Sequence, residues 1–464
     1  MTKIHGFGRS INDDDEVKTW QQKRHAWNTI QLSAENHAEA LNNLDNIIRF
    51  EIIQREEEGC DIQEALSKWE VVEQEEGGRE EFLAYLESLP LKSDWPYEEP
   101  SDLDAIMASR PTIEHSDGVT GDIEDKVLGA WLGRCGGCQL GKPVEGWSYE
   151  DIEALLQAAG EWPLRQYFPY LDPSPIDRAY HRSAKESTRG NFECMSRDDD
   201  IDYMLMAIAV LEGHSLNYQS ADVGKEWVER FPYGMVYTAE KVTYRNIVNG
   251  LQAPATATYR NPFREWIGAQ IRADVFGYVK AGDPEAAARL SYNDAALSHV
   301  KNGIYGELFA AAMIAGSFGT DDPVAALRAG MGQIPEKSRL YEALQFTIDL
   351  KSQYSDWRDA HAVVMDKYGH YHGVHTINNA CFVALGLLYG ENDYGTTICI
   401  AVECGMDTDC NGATVGSVIG AIHGARALPD EWIGPFNNKV RSMVAGFDGA
   451  SISSLADRTL AFMK

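Results

Sequence analysis

Glycine recurs every four residues at two widely separated places in this chain, and no other feature limits its fold as tightly. Gly129, Gly133, Gly137 and Gly141 form one series; Gly412, Gly416, Gly420 and Gly424 form the other. On an α-helix this spacing puts each series in one smooth stripe, which lets another backbone approach closely. A glycine inside a helix costs about 1 kcal/mol relative to alanine, so two complete stripes need a reason in packing. The spacing predicts two central, tightly packed helices. The first stops at Gly141-Lys142-Pro143, just before Glu145, and the second begins at Asp407-Thr408-Asp409.

That second start is one of two acidic clusters. It lies within Gly405-Met406-Asp407-Thr408-Asp409-Cys410-Asn411-Gly412, and the other is Ser196-Arg197-Asp198-Asp199-Asp200-Ile201-Asp202. Each stands directly before a long apolar, helix-like run, where capping needs only one carboxylate. A solvated, capped helix start is the plain reading of an aspartate triplet. The run after Asp200 (Ile201, Tyr203, Met204, Leu205, Met206, Ala207, Ile208) is apolar nearly all round, however, which marks a buried helix with an enclosed start. Buried unpaired carboxylates are expensive, and a bound cation removes the expense. With carboxylate oxygens dominating and no His or Cys cluster, the expected ion is Mg²⁺, Mn²⁺ or Ca²⁺ before zinc.

Other motifs carry less. The Asp407 cluster lacks the spacing and terminal Glu of an EF-hand. Gly136 to Lys142 follows the phosphate-loop spacing, but Pro143 stands where the Mg²⁺-binding hydroxyl belongs, and a helix precedes it. Cys135 and Cys138 fall inside the glycine-striped helix, with no second Cys pair of like spacing, and read as packed thiols. His361, His370, His372 and His375 lack HExxH spacing and read either as a loop near a ligand or as ordinary surface. Asp294 to His299, followed by Asn302-Gly303, breaks a helical pattern; His299 there could meet a ligand, cap a helix or fill core.

Size and composition set the frame. A chain of 464 residues, 44% hydrophobic, can bury a large core in one to three domains. A net charge of −30 would repel phosphates and argues against direct nucleic-acid binding. No stretch approaches the roughly 18 apolar residues of a membrane span, and Met1 to Gly6 shows no apolar signal region, so a cytoplasmic protein with reduced cysteines is expected. The charge is uneven: residues 1–120 hold 27 Asp and Glu against 11 Lys and Arg. Residues 15–90 read as helices with charged faces, Trp20, Trp27, Leu44, Ile47, Ile48, Ile52, Leu66, Trp69 and Val72 recurring at three- and four-residue spacing. From Pro90 to Gly121, prolines among acidic residues read as a linker or wrapped strap. From Asp122 on, Gly- and Ala-rich helical text continues almost to Lys464 without strand alternation, so the chain is expected to be all-α. Two regions follow: an acidic helical N-terminal extension with linker (1–120) and a main domain (121–464).

Together these motifs resemble the ADP-ribosylglycohydrolase family. The family's Gly-rich helix ending in Gly-x-x-x-Glu is similar to Gly129 through Glu145. Its Thr-Asp-Asp-Thr-x-Met motif resembles Asp198 to Tyr203, its Gly-Gly-Asp-Thr-Asp-Thr-Asn motif Gly405 to Asn411, and its Leu-Thr-His stretch Leu297-Ser298-His299. The four motifs run in the family's order over roughly residues 122–464. The resemblance implies an orthogonal all-α bundle, here with an added helical N-terminal region, holding two Mg²⁺ ions (Mn²⁺ as the alternative) in a central cleft. Their ligands would be Asp198, Asp199, Asp200, Asp407, Asp409 and Cys410, with Glu145, Asp199 and Asp200 as catalytic carboxylates. Two positions depart from the family: Asp198 and Cys410 stand where relatives carry threonine. The family's adenosine loop aligns only loosely with Trp266 to Arg272; Gly268, Arg272, His299, Asn302 and Gly303 become candidates for substrate contacts.

The activity implied is hydrolysis of the glycosidic bond at the ribose anomeric carbon of an ADP-ribosylated protein or small molecule, releasing ADP-ribose. Two alternatives stay open. One is a weakened relative that binds or neutralises a protein partner through residues 1–120, as an immunity protein would; the other is a nucleosidase acting on a smaller N-glycoside.

Overall fold

The computed structural model describes residues 14–29, 43–113, 118–180 and 183–463. Every regular element among them is helical, and β-structure is confined to isolated bridges, as the missing strand alternation predicts. No helix among the described residues is long and apolar enough to cross a membrane.

Among its described residues the acidic extension contains the helices α1 (Asp14–Asn28), α2 (Leu44–Glu57), α3 (Gln63–Val72) and α4 (Arg79–Glu87). Their apolar positions gather Trp20, Ile47, Ile48, Phe50, Ile52, Trp69, Phe82 and Leu86 into one small core. That core is completed by Ala239, Val242, Phe263 and Trp266 from the main body, so the extension is packed rather than tethered. Buried ion pairs fasten the same face: Arg264 meets Glu51 at 2.7 Å and Glu58 at 3.0 Å. Arg339 donates to the Glu57 carbonyl at 2.7 Å. Removing one partner of such a buried pair costs far more than the pair itself contributes, which fixes the docking geometry. The proline-rich stretch then runs as a strap over the body: Glu98 N donates to Lys337 O at 2.9 Å, and Glu99 pairs with Arg339 at 2.8 Å. A short helix, α5 (Leu103–Ala108), interrupts it and lends Ile106 and Met107 to the main core.

At the centre of the body, α6 (Ile123–Gly141) lies antiparallel against α10 (Thr408–His423). Gly129 faces Gly420, Gly133 faces Gly416, Gly137 faces Gly412, and Gly141 faces Thr408. Backbone meets backbone along this whole line. A methyl group at Gly137 would overlap the Gly412 carbonyl oxygen, and one at Gly412 would overlap the Gly137 carbonyl. Around the pair stand other helices buried on nearly every face: α7 (Asp199–His214), α8 (Asn302–Ser317) and α9 (Thr376–Tyr389). Cys135 and Cys138 sit buried within α6 as free thiols.

In an exposed helix a Gly-to-Ala change would stabilise by about 1 kcal/mol. Here Gly137→Ala is expected to do the reverse, costing about 3 kcal/mol because the two backbones must separate. Thermal unfolding of the variant checks this; an unchanged or raised melting temperature would contradict the close packing.

Candidate metal centre

The antiparallel register decides where the acidic motifs meet. Because Gly141, at the end of α6, lies on Thr408, at the start of α10, the chain leaving α6 passes beside Asp407 and Asp409. Thr408 Oγ1 donates to the Gly141 carbonyl at 2.8 Å and closes the junction. Beyond it the two loops pair briefly: Gly146 N donates to Met406 O and Met406 N to Trp147 O, both at 2.8 Å. Gly405 makes this possible. Its φ is +82°, and a Cβ there would come within 2.8 Å of the Trp147 carbonyl oxygen. The loop pairing thus holds Glu145 next to Asp407, at the solvent-exposed mouth of an otherwise buried cluster.

The second acidic motif enters from α7. Asp198 is its N-cap, accepting from Asp200 N at 3.0 Å. Two cations from the first glycine helix and its end brace the motif from behind. Arg134, fully buried on α6, binds Asp200 Oδ1 and Asp274 Oδ2, both at 2.9 Å, and also donates to the Asp200 and Ile271 carbonyls. Lys142 Nζ lies 2.5 Å from Asp198 Oδ2. Asp202 faces away from the cluster, paired with Arg197 at 2.8 Å and accepting from Ser442 at 2.6 Å.

Two groups of potential metal ligands result, and they share one residue. Asp200, Asp409 and Cys410 form one, Glu145, Asp407 and Asp409 the other; within each group one ligand atom per residue lies within 4.8 Å of the rest. Asp409 Oδ1 is buried without a hydrogen-bond partner among the described residues. Asp199 is half-buried on the same turn and belongs to neither group.

The electrostatics express the same imbalance. Burial opposes the charge on Asp198, but Lys142 and Arg197 outweigh it and hold that carboxyl below its ordinary range. Burial and the neighbouring Glu145 charge push Asp407 up to about 7. Asp409 is raised well above the carboxylate range by burial and by Glu145, Asp198 and Asp407. Asp200 is raised by burial even against Arg134. Without further positive charge these groups favour protons. Hard oxygen donors, a partnerless buried oxygen and excess negative charge are what a divalent cation would satisfy, so the residues fit such an ion.

The five residues read as substrate contacts lie in a different, densely bonded network. Arg272 is buried with its guanidinium occupied: Nη1 reaches Glu240 at 2.6 Å, Nη2 donates to Ser298 Oγ at 3.0 Å, and Nε binds Asp294. Gly268 packs against the Glu240 carboxylate, Gly303 against the Arg264 carbonyl, and His299 Nδ1 meets Ser298 Oγ at 2.7 Å. Asn302 bridges Glu265 and the strap residue Glu99, at 2.9 and 2.8 Å. His361 and His375 are buried rather than on the surface, and His372 stacks on Trp266 at 4.1 Å.

Sequence reading missed Arg134, Lys142 and Asn379. Asn379 accepts from Asp407 N at 3.3 Å and from Asn411 Nδ2 at 2.8 Å, so it fixes the start of α10. Arg134 did leave a signal, a charged residue inside a helix otherwise built of small and apolar side chains; Asn379 left none.

A sequence model of the ADP-ribosylglycohydrolase family matches residues 120–463. The chain belongs to the ADP-ribosylglycohydrolase family. Membership supports a hydrolase of glycosidic bonds in general. A solved structure titled "ADP-ribosylglycohydrolase-related protein complex" is similar over 74% of this chain and 99% of that one, with 16% identity and a TM-score of 0.47. No curated relative matches the chain.

The Asp407 shift makes a pH prediction. Between its ordinary value of 3.8 and about 7, the folded metal-free protein keeps a proton that the unfolded chain has released. Stability from this group is therefore fully present below the unfolded pKa and falls as pH rises through that window. Asp407→Asn cannot ionise. In a chelator it is expected to become more stable relative to the parent on going from about pH 5 to about pH 8. Chemical denaturation at both pH values measures this, and a pH-independent difference would contradict it.

Proposed function

We propose that this family member is a divalent-metal-dependent hydrolase of the bond between the ribose anomeric carbon of an ADP-ribosyl group and its attachment atom. The observation that carries the proposal is the pair of ligand groups meeting at Asp409, with a partnerless buried oxygen between them. Asp407 and Asp409 with Glu145, and Asp200 and Asp409 with Cys410, would hold two ions, Mg²⁺ or Mn²⁺ being suited to the all-oxygen group. Bound there, such ions supply a Lewis-acid clamp for substrate hydroxyls and a more acidic water.

The chain's own residues account for the rest. Glu145 is exposed at the mouth while Asp200, Asp407 and Asp409 are enclosed, so it is the ligand-group carboxylate placed to exchange protons with substrate and solvent. Water's oxygen bonds to the anomeric carbon as the bond to the leaving nitrogen or oxygen breaks; Glu145 takes the proton from that water, and the leaving atom takes up a proton. Lys142 keeps Asp198 ionised, and Arg134 and Asn379 fix the starts of α7 and α10. Asp199, half-buried beside them, is a candidate for orienting substrate.

We assign residues 1–120 to a docked extension of this domain (121–464). Through Phe50 it packs on Trp266 at 5.8 Å, and Trp266 carries His372 from the loop that Asn379 bonds at Gly373 O (2.8 Å). The extension therefore backs the loop whose Gly373 carbonyl Asn379 holds.

Asp407→Ala combined with Asp409→Ala is expected to abolish release of ADP-ribose from ADP-ribosylated protein. Glu145→Gln should lower kcat by about 10²- to 10⁴-fold with KM little changed. Unchanged turnover in the double variant would overturn the metal-centre reading; cleavage of free nucleosides in preference to ADP-ribosyl substrates would favour the nucleosidase.

A further inference from the structure

The two ligand groups are chemically unequal. Glu145, Asp407 and Asp409 offer only carboxylate oxygens, whereas Asp200, Asp409 and Cys410 offer two carboxylates and a sulfur. Cys410 is 6% exposed, and its Sγ lies 3.0 Å from Asp200 Oδ2. Arg134 holds the other Asp200 oxygen at 2.9 Å, so Oδ2 is turned toward the thiol. The independent sign of a ligand is Asp409 Oδ1, which belongs to a residue 3% exposed and has no hydrogen-bond partner among the described residues.

A thiolate is a soft donor that binds Zn²⁺, Co²⁺ or Cd²⁺ well and Mg²⁺ poorly. We infer that the position bounded by Asp200, Asp409 and Cys410 takes a thiolate-accepting divalent ion, while the all-oxygen position takes a hard one, making this a mixed-metal centre bridged by Asp409. The inference rests on the metal-centre reading above and adds which kind of ion each half selects. Binding forms a metal–sulfur bond and breaks the S–H bond; the proton leaves to solvent, and nothing is oxidised or reduced. Arg134 stays bonded to Asp200 throughout and keeps that carboxylate from turning away.

Cobalt is the direct probe, because thiolate ligation produces a near-ultraviolet charge-transfer band that oxygen ligation does not. Titrating the full chain with Co²⁺ is expected to raise this band, and excess Mg²⁺ should leave it in place. Cys410→Ser and Cys410→Thr should each lose the band and bind Co²⁺ and Zn²⁺ more weakly. Losing a ligand costs at least what losing an outer partner does, about 10- to 100-fold, so a drop of that size or more is expected. Mg²⁺ affinity should be unchanged or improved. Circular dichroism confirms folding, and the parent protein's own band needs no variant. No band in the Co²⁺-saturated parent, a band that Mg²⁺ erases, or a band that survives in both variants would each overturn the inference. These readouts do not depend on turnover: a protein that cleaves no ADP-ribosyl bond but shows the band loses the functional reading and keeps this one.

Discussion

Backbone-to-backbone contact between two glycine-lined helices is the constraint on which the rest of this protein depends. At each of four levels a side chain on α6 or α10 would collide with the facing carbonyl or backbone, so the two axes can approach only because those side chains are absent. The register of the contact is therefore set by position and not by interlocking shapes. Antiparallel packing in that register carries the end of α6 to the start of α10, and a single hydroxyl from Thr408 to Gly141 seals the meeting point. Everything acidic in the centre is delivered by this one junction or leans on it through Arg134 and Lys142.

Charge is the second constraint. Six carboxylates (Glu145, Asp198, Asp199, Asp200, Asp407 and Asp409) are gathered where Lys142 and Arg134 answer only two of them directly. A protein that needed only to be stable would replace the unanswered ones with apolar groups. Asp407 and Asp409 are instead kept as buried, proton-seeking acids, which suits the cation site proposed above. The contrast with the Arg272 network is instructive. There Arg272 donates to Glu240 and Asp294, and Glu307 lies 3.5 Å from the same guanidinium. Arg272 thus directs donors at two of its three acids, whereas Lys142 and Arg134 answer only two of six.

Much of this was legible in the chain because it is written in strict spacing. The four-residue glycine repeat gives helix, face and close approach together, and the apolar run after Asp200 gives a buried helix with an enclosed start. Glu145 could be read beside the clusters only through its resemblance to the family's Gly-x-x-x-Glu motif. What the sequence hid are contacts between remote segments with no periodicity: Asn379 under Asp407, the loop pairing of Gly146 with Met406, and Arg134 reaching both Asp200 and the segment from Ile271 to Asp274. The extension was legible as amphipathic helices. That it shares a core with Phe263 and Trp266, and locks its acidic face to Arg264 and Arg339, depended on partners more than two hundred residues away.

A bridged, two-ion centre assembled by the glycine-helix junction is the proposal on which the function rests. Anomalous scattering from crystals of the full chain grown with Mn²⁺ and Zn²⁺, collected at each metal's absorption edge, tests it most directly. Two peaks that share Asp409 are expected, with manganese beside Glu145 and Asp407 and zinc beside Asp200 and Cys410. Peaks at neither position, or a single ion that leaves Asp409 unligated, would contradict it.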